Sequence, residues 1–528
     1  MKPALRNGAR LSGRLRERVV RRLAAGRLAT GWLAAGALLA LPHPGFAQAV
    51  GPDNAPGAPS VQQNPVPGGN PRQVPTTMPA PGLWQRSQLL GNMGGLRPAL
   101  GSLGLSLGAL ESDEVFGNAT GGTRRGADYD GITELSLGLD TGTAFGWPGG
   151  TLNVSAFQIH GRNLSTDDLL TLQTASGLEA QRATRLWELW FTQSLFGGRA
   201  DIKLGQQSLD QEFITSAGSS LFLNTAMGWP LVPSVDLYAG GPAYPLSSLG
   251  VRLRGQLSDA ITVLGGVFDD NPAGGPFYDD SQTRGAAQSG TRFSTGTGGL
   301  VIGELQYQLN PPPGQPAASG QPNSGSPPPG NASPGLPGAY KIGFWYDSGA
   351  FPDQRFDQHG LSLADRASDG VAALHRGNYS LYAVADQMIW RPGPQAARAV
   401  GLFARVMGTP DGNRNLADLS LNAGITLKAP LPGRDNDTLG LAYGLARISG
   451  AAAALDQDRI LQTGVAQPVR GSESLLELTY QAQLVPWWIV QPDLQYVFTP
   501  GGGIADPLRP GQRIGNELVL GLRSNVTF

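Results

Sequence analysis

The stretch SLLELTYQAQLVPWWIVQPDLQYVF, residues 474–498, decides the fold class. Every second residue of its first half is apolar: Leu476, Leu478, Tyr480, Ala482 and Leu484. The residues between them include Glu477 and Gln481, and the alternation resumes after Trp487 and Trp488. Because successive side chains of a strand point to opposite faces, the pattern predicts a hairpin with one apolar face and one polar face. The apolar face must contact either protein or lipid.

The composition favours a β protein rich in turns. Only 15% of the 528 residues are charged, against roughly 25% in ordinary soluble domains. The chain has 76 glycines and 42 prolines, which favour turns and loops over helices. It has no cysteine, which excludes disulfides and thiolate metal sites.

Residues 1–47 have the pattern of a signal peptide. Nine basic residues precede an apolar run of 14 residues at 28–41, and small residues follow it. The run is too short to span a bilayer comfortably, so a retained anchor is the less favoured alternative. Without residues 1–47, 30 basic residues face 39 acidic ones, a net charge of -9. We therefore expect no nucleic-acid partner.

The later sequence predicts a closed membrane barrel. No later apolar run reaches the 18 residues of a membrane helix, and the only other backbone that lipid tolerates is a closed barrel. Alternation recurs at 134–140, 251–254, 402–407 and 419–428, and the polar positions carry Glu, Asp, Arg and Lys. Because such groups cannot be packed in a dry core unless paired, they must face water, and the apolar faces must contact lipid.

Aromatic residues at the predicted strand ends and the pattern of the last segment indicate a bacterial outer membrane. Aromatic residues appear where strands should end, as in barrel girdles: Trp147, Phe196, Trp229, Trp390, Trp487 and Trp488. The last segment, NELVLGLRSNVTF, places Leu518, Leu520, Leu522, Val526 and Phe528 on one face. A final strand that ends in Phe resembles the insertion signal of outer-membrane barrels. The predicted location is the outer membrane of a Gram-negative bacterium, with lipid as a partner.

The length of the chain indicates how many strands the barrel has. Residues 83–528 would give about 28 residues per strand and connection for sixteen strands, which suits a porin, whereas eight strands would leave far too much loop. We therefore predict an all-β transmembrane antiparallel barrel of about 16 strands with a short non-barrel segment before it. Residues 48–82 are predicted to form a Pro/Gly-rich periplasmic spacer, and 310–337 a Pro-rich loop insertion.

Several motifs resemble those of the OprB-type carbohydrate-selective porins (the outer-membrane porin B family). They include LLGNMGGLRP at 89–98, YPLSSLGVRLRG at 244–255, GVFDDNP at 266–272, GFWYDSGAF at 343–351 and the final GLRSNVTF. The resemblance extends over essentially all of 83–528. It implies a 16-stranded barrel that passes monosaccharides and related small solutes by facilitated diffusion through a water-filled channel.

Passage of a sugar requires weak binding by polar groups for its hydroxyls and by aromatic planes for its ring face. The alternation predicts that Arg252, Arg254 and Arg405 point inward as hydrogen-bond donors. It also predicts that Glu188 and Glu477 point inward as acceptors. Trp190, Trp345 and Asp347 share the inward face, whereas Trp187, Leu189 and Phe191 are predicted to face lipid. The alternatives are that the charged residues only brace the wall, and that a one-residue slip puts the tryptophans in a girdle.

One loop must narrow the channel, and 205–245 is a candidate, with Asp210, Glu212 and Asp236.

We expect no catalytic set, metal site or cofactor, because the four histidines are scattered and GxSxG is absent. His160 is expected at a strand end or in the lumen.

Other readings remain open. One is a structural or assembly barrel that tethers the cell wall or an exopolysaccharide export system, and another is a secreted β-sandwich that binds glycans. A homo-oligomer is possible.

Overall fold

The computed structural model describes residues 82–275, 277, 289–291, 293, 295–310, 335–393 and 396–528. The predicted signal peptide, all of the spacer except Gly82, and residues 311–334 of the Pro-rich insertion lie outside the described residues.

Within the described residues, eighteen strands make up the sheet structure. They are β1 (Leu105–Thr120), β2 (Ala127–Asp140), β3 (Gly150–Gly161), β4 (Ala183–Leu195), β5 (Ala200–Gln207), β6 (Ser248–Gln256), β7 (Ile261–Asp269), β8 (Gly299–Leu309), β9 (Gly338–Asp357), β10 (Ala372–Trp390), β11 (Ala399–Gly408), β12 (Ala417–Lys428), β13 (Thr438–Ile448), β14 (Ser472–Val485), β15 (Trp488–Phe498), β16 (Ala505–Asp506), β17 (Arg509–Arg513) and β18 (Glu517–Thr527). Sixteen of them form one closed antiparallel barrel in which β18 pairs with β1, and β16 and β17 form a separate small hairpin. The predicted barrel of about 16 strands is confirmed.

Among the described residues, the helical elements are short and lie before β1 or in the connections between strands. The α-helices are α1 (Leu96–Gly101), α2 (Thr141–Phe145), α3 (Thr225–Gly228), α4 (Leu231–Asp236), α5 (Gly450–Thr463) and α6 (Pro500–Gly503). Single turns of 3-10 or π geometry cover Leu83–Gln85, Met93–Gly95, Ser165–Leu169, Phe196–Gly198, Leu209–Gln211, Ser219–Leu221 and Tyr238–Gly240. Among the described residues, the helices are all too short or too polar to cross a membrane.

The connections differ between the two ends of the barrel. One end has short turns at 196–199, 257–260 and 486–487, and the other has long connections that include 162–182, 208–247 and 449–471. Outer-membrane barrels place short turns in the periplasm and longer loops outside the cell. Leu309 ends β8 and Gly338 begins β9, and both lie at the short-turn end.

Apolar residues cover the outside of the barrel and polar residues line its inside. On β14, Leu476 and Leu478 are 41% and 44% exposed, whereas Glu477 between them is fully buried. On β18, Leu522 is 50% exposed and its neighbour Arg523 is fully buried. The alternation inferred from the sequence therefore has the orientation that a membrane barrel requires.

Two local expectations are wrong. Trp229 is not at a rim: it is buried in the connection 208–247, in an apolar cluster with Phe213 and Leu231. The sequence of 356–374 lacks alternation and predicts a loop throughout, but only 358–371 is loop, because β9 and β10 continue beyond the alternating part of their sequence.

Candidate functional site

Two connections fold into the barrel instead of away from it. The longer is the inward loop, residues 208–247, and the shorter is the second inward segment, residues 162–182. Backbone hydrogen bonds join them, from Gly177 N to Leu223 O at 2.9 Å and from Thr225 N to Thr174 O at 3.1 Å. Residues 208–245 of the candidate region 205–245 thus lie inside the barrel and narrow it, whereas residues 205–207 belong to β5.

Polar side chains of the wall hold the inward loop by its backbone. Glu477 on β14 accepts hydrogen bonds from Leu223 N at 2.5 Å and Asn224 N at 3.3 Å. Arg405 on β11 donates to Ala226 O and Gly228 O, both at 2.6 Å. Both residues face inward as predicted, and each binds protein backbone that would otherwise be unpaired.

The second inward segment is held in the same way. Glu473 on β14 accepts from Leu172 N at 2.8 Å, and Gln495 on β15 donates to Ala175 O at 2.7 Å. These contacts join residues that are about 300 positions apart in the sequence.

A continuous cluster of charged residues lies on β4, β5 and β6. Asp201 on β5 accepts from Arg252, and from Arg254 Nε at 2.5 Å. Arg252 Nε also lies 2.6 Å from Glu212 of the inward loop, and Lys203 on β5 donates to Glu212 at 2.7 Å. We call Glu188, Trp190, Asp201, Lys203, Glu212, Arg252 and Arg254 the β4–β6 cluster.

Two predicted residues form the β4 end of this cluster. Trp190 Nε1 donates to Glu188 at 3.0 Å, and Glu188 accepts from Ser208 N at 2.9 Å. Lys203 Nζ lies 4.4 Å from the centre of the Trp190 ring, within the range of a cation–π contact. Trp190 remains half-buried.

Four of the predicted channel residues thus meet in one place, whereas the other four do not. Trp345 on β9 is fully buried in the apolar cluster that contains Phe213 of the inward loop. Asp347, two residues later, is also fully buried and accepts from Gly349 N at 2.8 Å. Arg405 and Glu477 lie on β11 and β14. The role of all eight residues as substrate-channel residues stays a prediction.

Trp187 does not face lipid, which corrects its predicted orientation. The pairing of β3 with β4 shifts by one residue, from Ser155 opposite Glu188 to Ala156 opposite Leu186, and leaves Trp187 as the extra residue of a bulge. Trp187 is therefore buried, and its ring stacks on Phe157 at 4.3 Å between centroids. Leu189, after the bulge, is exposed as predicted.

The sequence reading missed Asp201 and Lys203. They alternate with the outward Ile202 and Leu204 over only eight residues of strand, which is a weak signal. The pairing of β5 with β6 places Asp201 opposite Arg254 and Lys203 opposite Arg252. The short alternation was the one signal that could have found them.

The three acidic residues of the inward loop have different partners: Glu212 and Asp236 contact the barrel wall or its connections, whereas the partners of Asp210 lie within the loop. Burial would raise the pKa of Glu212, but Lys203 and Arg252 more than offset it and hold that pKa below its usual value. Burial raises the pKa of Asp210 to about 6, although Ser208 Oγ and Tyr244 N donate to it. Burial also raises the pKa of Asp236, which accepts from Leu416 N at 2.7 Å. Glu212 is thus the anchor that depends on charge.

Comparison with known proteins places the chain among porins. The model of the carbohydrate-selective porin OprB family matches residues 124–528. Porin B of Pseudomonas aeruginosa is 24% identical over 460 residues, which cover 83% of this chain and 91% of that protein. The putative porin QuiX of Acinetobacter baylyi is 22% identical over 442 residues, with coverage of 79% and 89%.

A solved structure has the same fold. The high-pH structure of Pseudomonas putida OprB matches with a TM-score of 0.70 at 23% identity, over 84% of this chain and 99% of that one. At this identity the likeness shows the barrel fold alone.

Proposed function

The chain belongs to the OprB family of carbohydrate-selective porins of the Gram-negative outer membrane, and we propose that it passes monosaccharides and related small solutes by facilitated diffusion. The observation that supports this proposal is the β4–β6 cluster beside the inward loop. It combines cationic donors, carboxylate acceptors and a half-buried indole ring. These are the groups that a sugar's hydroxyls and ring face require.

The existing ion pairs of the β4–β6 cluster favour passage over tight capture. All charged groups of the cluster except Glu188 are already paired with one another, so a sugar hydroxyl competes with existing ion pairs and gains little net free energy. Weak binding suits conduction, because a solute must also leave. In this proposal the channel performs no covalent chemistry.

Planar-bilayer recording of the purified protein tests the proposal. We expect discrete single-channel conductance, and a dose-dependent reduction of the current when glucose-like sugars are added. A current that no sugar reduces would leave only a general porin. Liposome swelling with a series of mono- and disaccharides then measures which sugars pass.

A further inference from the structure

A polar patch interrupts the apolar outside of the barrel. Glu111 and Asp113 alternate on β1 with the inward, buried Ser112 and Glu114, so they point outward, as does Val115, which is 49% exposed. His160 on β3 is outward by the same reasoning, since its neighbour Ile159 is buried inside.

Its direct neighbours on the outer face are Thr133 opposite Glu111 and Ser524 opposite Asp113, and Tyr129 donates a hydrogen bond to Asp113. Farther along the strands the outer face is apolar, at Val115, Leu135, Leu520 and Leu522. Ionisable side chains on the lipid face of a barrel are destabilising to a degree that depends on depth, and inside membranes such groups usually have a function. The patch therefore needs a physical reason.

The three ionisable side chains meet across a glycine. Gly131 on β2 lies directly opposite Asp113 on one side and His160 on the other. A Cβ at Gly131 would lie 2.7 Å from His160 Nε2 and 2.8 Å from Asp113 Oδ1. The missing side chain lets Nε2 approach Asp113 to 3.2 Å and Glu111 to 3.8 Å.

The imidazole is oriented for a ligand. His160 Nδ1 lies 3.0 Å from the amide oxygen of Gln158, which can only accept, so Nδ1 carries a proton. Nε2 is then the nitrogen that faces Glu111, Asp113 and the hydroxyl of Tyr129, which lies 3.1 Å from Nε2 and donates to Asp113. Histidines that bind metals commonly donate their other ring N–H to an acceptor in this way.

The charges of the patch do not balance. Among the described residues, His160 is the only ion-pair partner of Glu111 and Asp113. A protonated His160 would offset one of the two negative charges, whereas a divalent cation beside a neutral imidazole offsets both. One ligand atom from each of the three residues lies within 4.8 Å of the others, which is compact enough for a single ion.

We propose that Glu111, Asp113 and His160 bind a divalent transition-metal ion, of which Zn²⁺ is the best match, on the outer face of the barrel. Two carboxylates and one imidazole are a familiar ligand set for Zn²⁺, with a further position left open. The ion neutralises the patch and links β1 to β3 across β2. No pattern within a single strand indicates this site, because it depends on the pairing of three strands.

The test uses the full-length barrel in detergent, prepared without an oligohistidine tag and stripped with a chelator. Titration with Co²⁺, followed by its visible absorption, should saturate at one ion per chain, and Zn²⁺ should displace it. Binding should weaken on acidification, because all three ligands must be deprotonated. The chain has no cysteine and only His359 and His375 besides His160 outside the leader, so few other residues compete.

Two variants and one control make the result decisive. His160→Asn should weaken Co²⁺ binding by more than about 100-fold, since even supporting residues of metal sites contribute 10–100-fold. Gly131→Ala should weaken it through the added Cβ, and His375→Asn should leave it unchanged. Heat-modifiable mobility on gels shows that each variant is folded. Absence of saturable binding by the unmodified barrel, or equal binding by folded His160→Asn protein, overturns the proposal.

Discussion

Arg405 on the barrel wall donates a hydrogen bond of 2.6 Å to the carbonyl oxygen of Gly228, at the end of α3 in the inward loop. The same guanidinium binds Ala226 O, so one side chain satisfies two carbonyls of a helical end. The planar fork of arginine suits this double contact, which a lysine could not reproduce. Arg405 therefore acts first as a clamp on the loop.

Replacement of Arg405 with Gln should loosen the inward loop. Each charge-assisted hydrogen bond contributes about 1.5–3 kcal/mol, and its loss leaves buried carbonyls unpaired. We expect a larger and noisier single-channel current and a lower unfolding temperature for Arg405→Gln. The values for Arg405→Lys should lie between those of Arg405→Gln and of the unmodified protein. Arg366→Ala, on the exposed loop 358–371, is the matched control. An unchanged current for Arg405→Gln would show that the clamp is dispensable.

Joint replacement of Arg252 and Arg254 with Gln tests whether the β4–β6 cluster binds sugar. Loss of one hydrogen bond to the sugar weakens its binding by about 1 kcal/mol. The sugar concentration that blocks half of the current should therefore rise roughly fivefold. The measurement is sugar block in planar bilayers, with Arg366→Ala as control. A changed conductance with an unchanged block would mean that the two arginines only brace the wall around Asp201.

The response to acid should depend on Glu212. Because Lys203 and Arg252 hold its pKa below the usual 4.5, the stabilisation that this anchor provides is present at neutral pH. It is lost as the pH falls through the lowered pKa. We expect the part of the acid response that depends on Glu212 to appear only below pH 4.5, whereas Asp210, with a pKa of about 6, titrates between pH 7 and 5. The Glu212→Gln channel should show the altered current at every pH. If its current responded to acid in the same way as that of the unmodified channel, Glu212 would not be the group responsible.

Local pattern was sufficient to predict the barrel and the faces of most of its strands. Alternation is a property of neighbouring residues, so Arg252, Glu477 and Leu522 could be assigned to a face without knowledge of their partners. The prediction for Trp187 was wrong because a bulge adds one residue to β4, and that residue is determined by pairing with β3.

Contacts between distant residues could not be predicted from the sequence. Arg405 and Glu477 were assigned to the lumen, but their partners in the inward loop are 177 to 254 positions away. Asp113 and His160 meet only because both lie opposite Gly131, and a slip of one residue in either pairing would separate them. Register between strands, rather than pattern within them, decides which side chains form a site.

The C-terminus gives a prediction about barrel closure. Arg97, just after the start of α1, donates to the terminal Phe528 O at 2.6 Å, and Leu89 N donates to Thr527 O at 2.8 Å. The segment before β1 therefore holds the end of β18 at the seam where β1 and β18 close the barrel.

Arg97→Ala should weaken the seam. Arg97 is only half-buried, so we expect a loss near the lower end of the 1.5–3 kcal/mol of a charge-assisted hydrogen bond. The measurement is the temperature at which the folded, heat-modifiable form disappears on gels. Single-channel conductance should be unchanged, since the inward loop has its own anchors. Arg366→Ala again serves as control, and equal melting of the two variants would show that the contact with Phe528 contributes nothing to closure.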